Sequence, residues 1–391
     1  MGPVTIIGVG LMGGSLGLAL RAAGVADVRG VDATPEAALQ AAHLGAVTRA
    51  MSDLEAAVAD AAVVVVAAPV PLIPGIVRRV LVAAPEDCLV TDLGSAKRAV
   101  VDGLRPEERQ RFIGGHPICG GERSGVGSAR ADLFRGATWF LTPTAEARPE
   151  LFQRAHALVA SVGASPVAID AAVHDRLMAL VSHVPHVLAA ALIHQAADTA
   201  PEGREALRSA GPSFDDLTRV AGSNPPLWAD ILLANRDAVR EALAQFRGRL
   251  GDVEAAVERG DREALLTFVA GAEEGRARLR AGRDAPASEE PWELAVEVPD
   301  RPGAISEIAT ALGHAHINIG DLLLHPGPPG GVGELLLRVA GPDAAARAAG
   351  LVAARGYTVS ATRPAWSPAS AGSPGTATRP ATPGDSHPDP R

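Results

Sequence analysis

Aromatic residues make up only 3% of this 391-residue chain, and cysteine occurs twice, as Cys88 and Cys119. Two cysteines exclude a disulfide framework and a cysteine-rich zinc site. No basic cluster stands out. The formal net charge is −9, which argues against a nucleic-acid partner. The start, MGPVTIIGVG, lacks a charged segment leading into an apolar stretch and a cleavage site, so no signal peptide is expected. The longest apolar run, AAVVVVAAPVPLIPGIV at 61–77, is broken by three prolines and does not read as a membrane span. No lysine follows Lys97. These absences leave a cytoplasmic protein with no membrane partner as the expectation. Apolar residues reach 47%, enough for sizeable cores, and the length suits two or three domains.

Residues 3–9 form a short β-branched run that leads into a helix-like segment ending near Gly24. DVRGVDAT at 27–34 is the next strand, and strand-like runs recur at 61–69, 88–95, 111–117, 138–143 and 166–171, with Ala-rich helical segments between them. That alternation predicts a parallel sheet covered by helices, spanning residues 1–170. From 171 to 282 the pattern is helical throughout, which predicts an all-helical second domain. Residues 283–291 read as a polar linker. Over 292–363 the order is βαββαβ. From 367 to 391 Pro, Ser, Thr, Gly and Ala dominate, a composition expected to be disordered.

Gly8, Gly10 and Gly13 form G-x-G-x-x-G between the first strand and the first helix. The first glycine permits the turn, the second lets a pyrophosphate approach, and the third lets helix and strand pack. With Leu11 and Met12 they form a candidate dinucleotide cradle of Rossmann type. Asp32, 19 residues beyond Gly13, suits the ribose hydroxyls and would repel a 2′-phosphate, so NAD is favoured over NADP. Pro69 and Asp92, at later strand ends, join them as cofactor-side candidates. TDLGSAKRAV at 91–100 reads either as ligand contacts through Ser95 and Lys97 or as a plain helix start, since Ser is a good N-cap.

GGHPICGGERSGVG at 114–127 sets His116 between glycine and proline at the end of a strand. A lone histidine in such a turn is more often structural. Ser95 arriving at the same edge shifts the reading toward an imidazole held by a hydroxyl and free to take a proton. His183 and His186, three apart on an apolar helix, share a face. No further metal-ligand pattern accompanies them, so they point to a substrate pocket and no metal is expected. Arg219, set among apolar residues, reads either as a surface salt bridge or as a carboxylate clamp.

Five segments in order, GVGLMGGSLGLAL, TDLGSAKRAV, GGHPICGGERSGVGSARADLF, SHVPHVLAAAL and TRVAGSNPPLWADILLANR, resemble the TyrA family of prephenate and arogenate dehydrogenases. The resemblance covers about residues 3–363. The C-terminal DRPGAISEIATALGHAHINI is similar to an ACT domain, a ferredoxin-like module that often binds amino acids. The resemblance implies NAD-dependent oxidative decarboxylation of prephenate to 4-hydroxyphenylpyruvate, in tyrosine biosynthesis. It implies His116 as the group that accepts the ring-hydroxyl proton, a task that suits a histidine with a pKa near 7, and Ser95 as its hydrogen-bonding partner. Arg219 would hold a substrate carboxylate. His186 would line the pocket with His183 close by, and Glu122 and Ser124 would complete the substrate side. A homodimer built on the helical domain is implied. L-tyrosine is the expected effector, bound near Asp300, Pro302, Gly303 and Asn318. Many relatives read GGHPMAGTEKSG where this chain has Ile118, Cys119, Gly120 and Gly121, which bears on substrate choice. Cys119 is read as a small packing residue rather than an oxidation-sensitive one.

Arogenate dehydrogenase is the nearest alternative, since it shares the fold and the histidine, and Glu122 could favour its amine over a keto acid. A β-hydroxyacid dehydrogenase of the 6-phosphogluconate type would need a lysine in the helical domain, where none is found. A non-catalytic sensor of NAD and amino acids is disfavoured by the presence of Ser95, His116 and Arg219.

Overall fold

The computed structural model describes residues 2–121, 123–198, 207–284, 291–299, 301–325, 327 and 331–363. Glu122, Asp300, most of the expected linker and the whole expected disordered tail lie outside the described residues.

The first domain opens with β1 (Val4–Ile7), α1 (Leu11–Ala22), β2 (Val28–Val31), α2 (Pro35–His43), β3 (Arg49–Met51), α3 (Leu54–Val58) and β4 (Val63–Val66). It continues through α4 (Ile73–Ala83), β5 (Leu89–Asp92), α5 (Arg98–Asp102), α6 (Pro106–Arg109), β6 (Phe112–Pro117), β7 (Thr138–Thr142), α7 (Pro149–Ser161) and β8 (Ser165–Ala168). The strands lie in the order β3-β2-β1-β4-β5-β6-β7-β8. All four valines of β4 are fully buried, as befits a central strand covered on both faces. The expected parallel sheet is found with one exception, because β7 runs antiparallel to β6. Parallel pairing would need a crossover helix, whereas the described residues among 118–137 hold only the 3₁₀ turn Val126–Ser128. The loop that carries the GGERSG segment is therefore a return connection at the sheet edge.

The second domain is helical, as expected. It comprises α8 (Ala171–Met178), a π turn (Ala179–His183), α9 (Val184–Asp198), α10 (Pro212–Thr218), a 3₁₀ turn (Arg219–Gly222), α11 (Pro225–Ala234), α12 (Arg236–Glu258) and α13 (Arg262–Asp284). The C-terminal unit is β9 (Pro291–Pro299), α14 (Ala304–His314), β10 (Asp321–His325), β11 (Val332–Ala340), α15 (Pro342–Ala353) and β12 (Val359–Thr362). Its antiparallel sheet has the order β10-β11-β9-β12, which is the anticipated βαββαβ arrangement.

This unit is docked on the first domain and shares its core. Leu151 and Phe152 of α7 belong to the same buried cluster as Ile308 and Leu312 of α14. The ring of His156, buried in α7, bonds the carbonyl of Ile319 at 3.1 Å. Gly313 lies so close to β8 that a Cβ there would sit 1.8 Å from the Ala168 carbonyl oxygen. Gly313→Ala is therefore expected to destabilise the protein by roughly 1–3 kcal/mol through overpacking. A urea-unfolding midpoint identical to that of the unmutated protein would contradict so tight a docking.

Candidate active site

The C-terminal ends of β1, β4, β5 and β6 all reach one edge of the sheet, where open α/β sheets bind ligands. A cavity of about 610 Å³ lies there, closed on its other side by the helical domain. Gly10, Leu11, Met12, Gly13 and Pro69 line it, followed by Ser95, His116, Cys119, Arg123 and Ser124. His183, Asn224 and Trp228 line it from the helical domain.

The glycine turn has the geometry a dinucleotide needs. Gly8 has φ +90°, a conformation that side chains avoid, and a Cβ on Gly13 would sit 1.9 Å from the Gly8 carbonyl oxygen. A Cβ on Gly10 would meet nothing within 4 Å, so the room beside it is open for a ligand. No side chain caps the start of α1, which leaves its N–H groups for an anion. Asp32 ends β2 with its carboxylate accepting from the Val9 N–H at 2.8 Å and the Thr34 N–H at 3.0 Å. Gly8 and Asp32 are not among the residues that line the cavity.

Asp92 belongs elsewhere. It has no exposed surface and pairs with Lys97, which is equally buried. Its carboxylate also accepts from the Gly94 N–H at 2.8 Å and the Gly115 N–H at 3.0 Å. It therefore ties the loop after β5 to the strand that carries His116, and it is not a cavity-lining group.

His116 and Ser95 both line the cavity, but the expected hydrogen bond between them is replaced. The Nδ1 of His116 lies 2.9 Å from His174 Nε2, and His174 Nδ1 lies 2.8 Å from Asp175 Oδ1. Among the described residues Ser95 makes no side-chain hydrogen bond. Nor does Ser95 cap α5, because the Asp175 carboxylate accepts from the Lys97 and Arg98 N–H groups at 2.8 and 2.9 Å. Packing completes the arrangement. The His174 ring stands edge-on to His116 and to Phe140, at centroid distances of 5.1 and 5.5 Å.

Of the two helix histidines, His183 lines the cavity and His186 does not. The π turn carries His183 toward the site, a placement such turns often serve. Asn235 fixes its ring. The Asn235 amide N–H₂ donates to the Asp175 carbonyl at 2.8 Å and to His183 Nδ1 at 3.1 Å. With Nδ1 accepting, a neutral His183 carries its hydrogen on Nε2 and is a donor. His186 instead stacks on Trp228, with ring centroids 3.5 Å apart, and thereby supports a cavity wall. Arg219, on its 3₁₀ turn, and Arg123, in the β6–β7 connection, are both exposed, and of the two only Arg123 lines the cavity. Cys119 lines the cavity too, its thiol pushed up to about 11 by burial, so it stays protonated.

The expected pKa near 7 for His116 also needs correcting. Burial first, then the neighbouring His174, Lys97 and His183, hold it well below the ordinary histidine value. Burial likewise lowers His156, His174, His186 and, to about 4, His183. Neutral in the fold, these rings are protonated in the unfolded chain below about pH 6.5. Their contribution to stability is thus complete above that value and is lost as pH falls through it toward their folded values. Each contributes a slope of at most about 1.4 kcal/mol per pH unit. The urea midpoint is expected to be higher at about pH 8 than at about pH 5, and equal midpoints would contradict the neutral cluster.

Three family models match in order. They are "Prephenate dehydrogenase, nucleotide-binding domain" over residues 16–168, "Prephenate dehydrogenase, dimerization domain" over 170–270, and "ACT domain" over 292–344. A prephenate dehydrogenase of Bacillus subtilis (strain 168) is 32% identical over 322 residues, 81% of this chain and 86% of that protein. The crystal structure of prephenate dehydrogenase from A. aeolicus in complex with hydroxyphenyl propionate and NAD+ is similar at a TM-score of 0.68 and 30% identity, over 71% of this chain and 98% of that one. A Synechocystis arogenate dehydrogenase is similar at a TM-score of 0.63 and 26% identity, over 71% and 99%.

Proposed function

Because the chain belongs to the prephenate dehydrogenase family, we propose that it catalyses the NAD-dependent oxidative decarboxylation of prephenate to 4-hydroxyphenylpyruvate. The observation that carries this reading is His116, a neutral imidazole in a cavity between a dinucleotide turn and the helical domain. Its Nδ1 is engaged by His174, which leaves Nε2 for the substrate.

NAD, when bound, supplies the acceptor for the hydrogen leaving the ring carbinol carbon. The turn at Gly8, Gly10 and Gly13 would hold its pyrophosphate on the start of α1, and Asp32 would meet its ribose hydroxyls. His116 Nε2 accepts the proton of the ring hydroxyl as the carbonyl forms. Loss of the ring carboxylate as CO₂ then makes the ring aromatic and leaves a phenolate, which takes the proton back from His116; aromatisation drives the reaction, so positioning is most of what the protein must supply. His183 Nε2–H donates to a substrate oxygen. Arg123 offers a guanidinium to a substrate carboxylate, the part that the sequence pattern gave to Arg219.

Arogenate differs from prephenate by an amine in place of the side-chain keto group. Glu122, whose carboxylate could favour the amine, lies outside the described residues, and prephenate is preferred on the family relationship. NADH formation with each substrate offered separately tests this. Turnover of arogenate alone would move the chain to the other step, and turnover of neither would overturn the reading.

The helical domain leaves Leu180, Leu192 and Leu217 exposed, apolar side chains that a second copy would cover in a homodimer. Pro302 and Gly303 precede α14 of the ACT domain, with Gly303 buried against the backbone of Ala145 in the first domain. Asn318 is exposed beyond the same helix. L-tyrosine bound there would act on the first domain through this contact, and activity unaffected by added L-tyrosine would sink the feedback reading. A cytoplasmic location accords with this biosynthetic role.

A further inference from the structure

We propose that His174 and Asp175 are positioning residues that fix which nitrogen of His116 carries its hydrogen, and that they do so only while α8 is docked on the loop after β5. The inference rests on His116 being the base of the proposed reaction.

The chain of partners leaves one solution. An ionised carboxylate only accepts hydrogen bonds. Asp175 Oδ1 accepts from the Lys97 N–H and Oδ2 from the Arg98 N–H, so His174, 2.8 Å from Oδ1, must carry its hydrogen on Nδ1. Neutral His174 then presents a bare Nε2. His116 Nδ1, 2.9 Å away, must donate to it. His116 is thereby held as the Nδ1–H tautomer with Nε2 bare toward the cavity, which is the form a general base needs. A protonated His174 would donate instead and push the His116 hydrogen onto Nε2, disabling the base. Burial opposes that protonation, Asp175 and Asp92 favour it, and Lys97 disfavours it. The groups facing His116 are His174 from α8, Lys97 from the loop after β5 and His183 from the π turn.

Asp175 is also where the two domains are joined. Its carboxylate caps α5 of the first domain, and its carbonyl is held by Asn235 at the start of α12. Withdrawing α8 would break the cap and release His174 in one movement, so the base is formed only in the docked state.

The test uses the full chain with ¹⁵N-labelled histidine, read by long-range ¹H–¹⁵N correlation and by kinetics. The expected result is an Nδ1–H tautomer for His116 in the unmutated protein, its signals identified by their loss in His116→Gln. In His174→Phe, which keeps a ring beside Phe140, His116 should lose that tautomer, and kcat should fall roughly 100-fold. KM for NAD should stay within about threefold. In His174→Gln the side-chain carbonyl can accept from Nδ1–H, and at least about tenfold of kcat should return. Should His174→Phe fail to fold, Asp175→Asn carries the same expectation, because its amide no longer dictates the donor order. An Nε2–H tautomer in the unmutated protein would overturn the proposal, as would a folded His174→Phe with unchanged tautomer, kcat and pH profile. A protein that turns over neither prephenate nor arogenate would defeat the proposed function, while the spectra would still decide the tautomer.

Discussion

Replacing His116 by glutamine is expected to lower kcat with prephenate by roughly 10³-fold, because a positioned general base contributes about that much. Glutamine keeps much of the volume and a polar end, and its amide cannot take up a proton. The nucleotide turn lies on β1 and α1, whereas His116 lies on β6, so NAD affinity should remain. The residual rate would come from the aromatisation that follows oxidation and from the positioning that Arg123 and His183 still supply. The direction of the pKa shift makes a second signature. His116 is held well below the usual histidine range, and the base must be neutral to work. The unmutated enzyme should thus keep its kcat/KM as pH falls through about 6.5, and lose it only lower, as Nε2 is protonated. In His116→Gln that acid limb should vanish together with most of the rate. A variant within about threefold of the unmutated kcat would remove His116 from the mechanism.

The parts of the fold set by local rules were legible. Gly8 needs its positive φ, β4 needs a run of apolar residues, and the C-terminal unit alternates strand and helix at short intervals. Each leaves a pattern within a few neighbouring residues. His116 and its cavity were legible for the same reason, since strand ends converge on one edge of such a sheet. The supporting shell was not. His174 and Asp175 stand in AAVHDRLM, which reads as an ordinary helix start, and their meaning comes from partners 58 and 77 or more residues away. Asn235 looks like a helix terminus until its amide is seen bridging Asp175 and His183. Ser95 was assigned the histidine's hydrogen bond because a hydroxyl at the same strand edge was the visible candidate, and the ring turned to α8 instead. The order of His183 and His186 depends on a π turn that shifts the helix face by one residue, which periodicity cannot reveal. The antiparallel β7 and the docking of the C-terminal unit through Gly313 are likewise tertiary facts.

Lys97→Met is expected to destabilise the protein by roughly 3–5 kcal/mol, the cost of leaving a buried charge without its partner. Lys97 is the only lysine in the chain, against 45 acidic residues, and it has no exposed surface. Burial draws its amine below the usual range, and Asp92 opposes that. Asp92 has no other cation within reach among the described residues, so methionine would strand the carboxylate with only the Gly94 and Gly115 N–H groups. Neutralising it should recover much of the loss. Lys97→Met with Asp92→Asn keeps a carbonyl oxygen for one N–H group and removes the charge, and it should be more stable than Lys97→Met alone by at least about 1 kcal/mol. The ammonium also donates to the Gly115 carbonyl at 2.8 Å, directly before His116, so both variants should lose turnover even where stability returns. That separates the two duties of the pair, holding the fold and aiming the base. Urea unfolding supplies the stabilities. An amine-reactive reagent supplies an independent check, since a native chain should react at its α-amino group and expose Lys97 only on unfolding. Rapid labelling of Lys97 in the native protein, or a double variant no more stable than the single one, would show that the charge pair does not hold this loop in place.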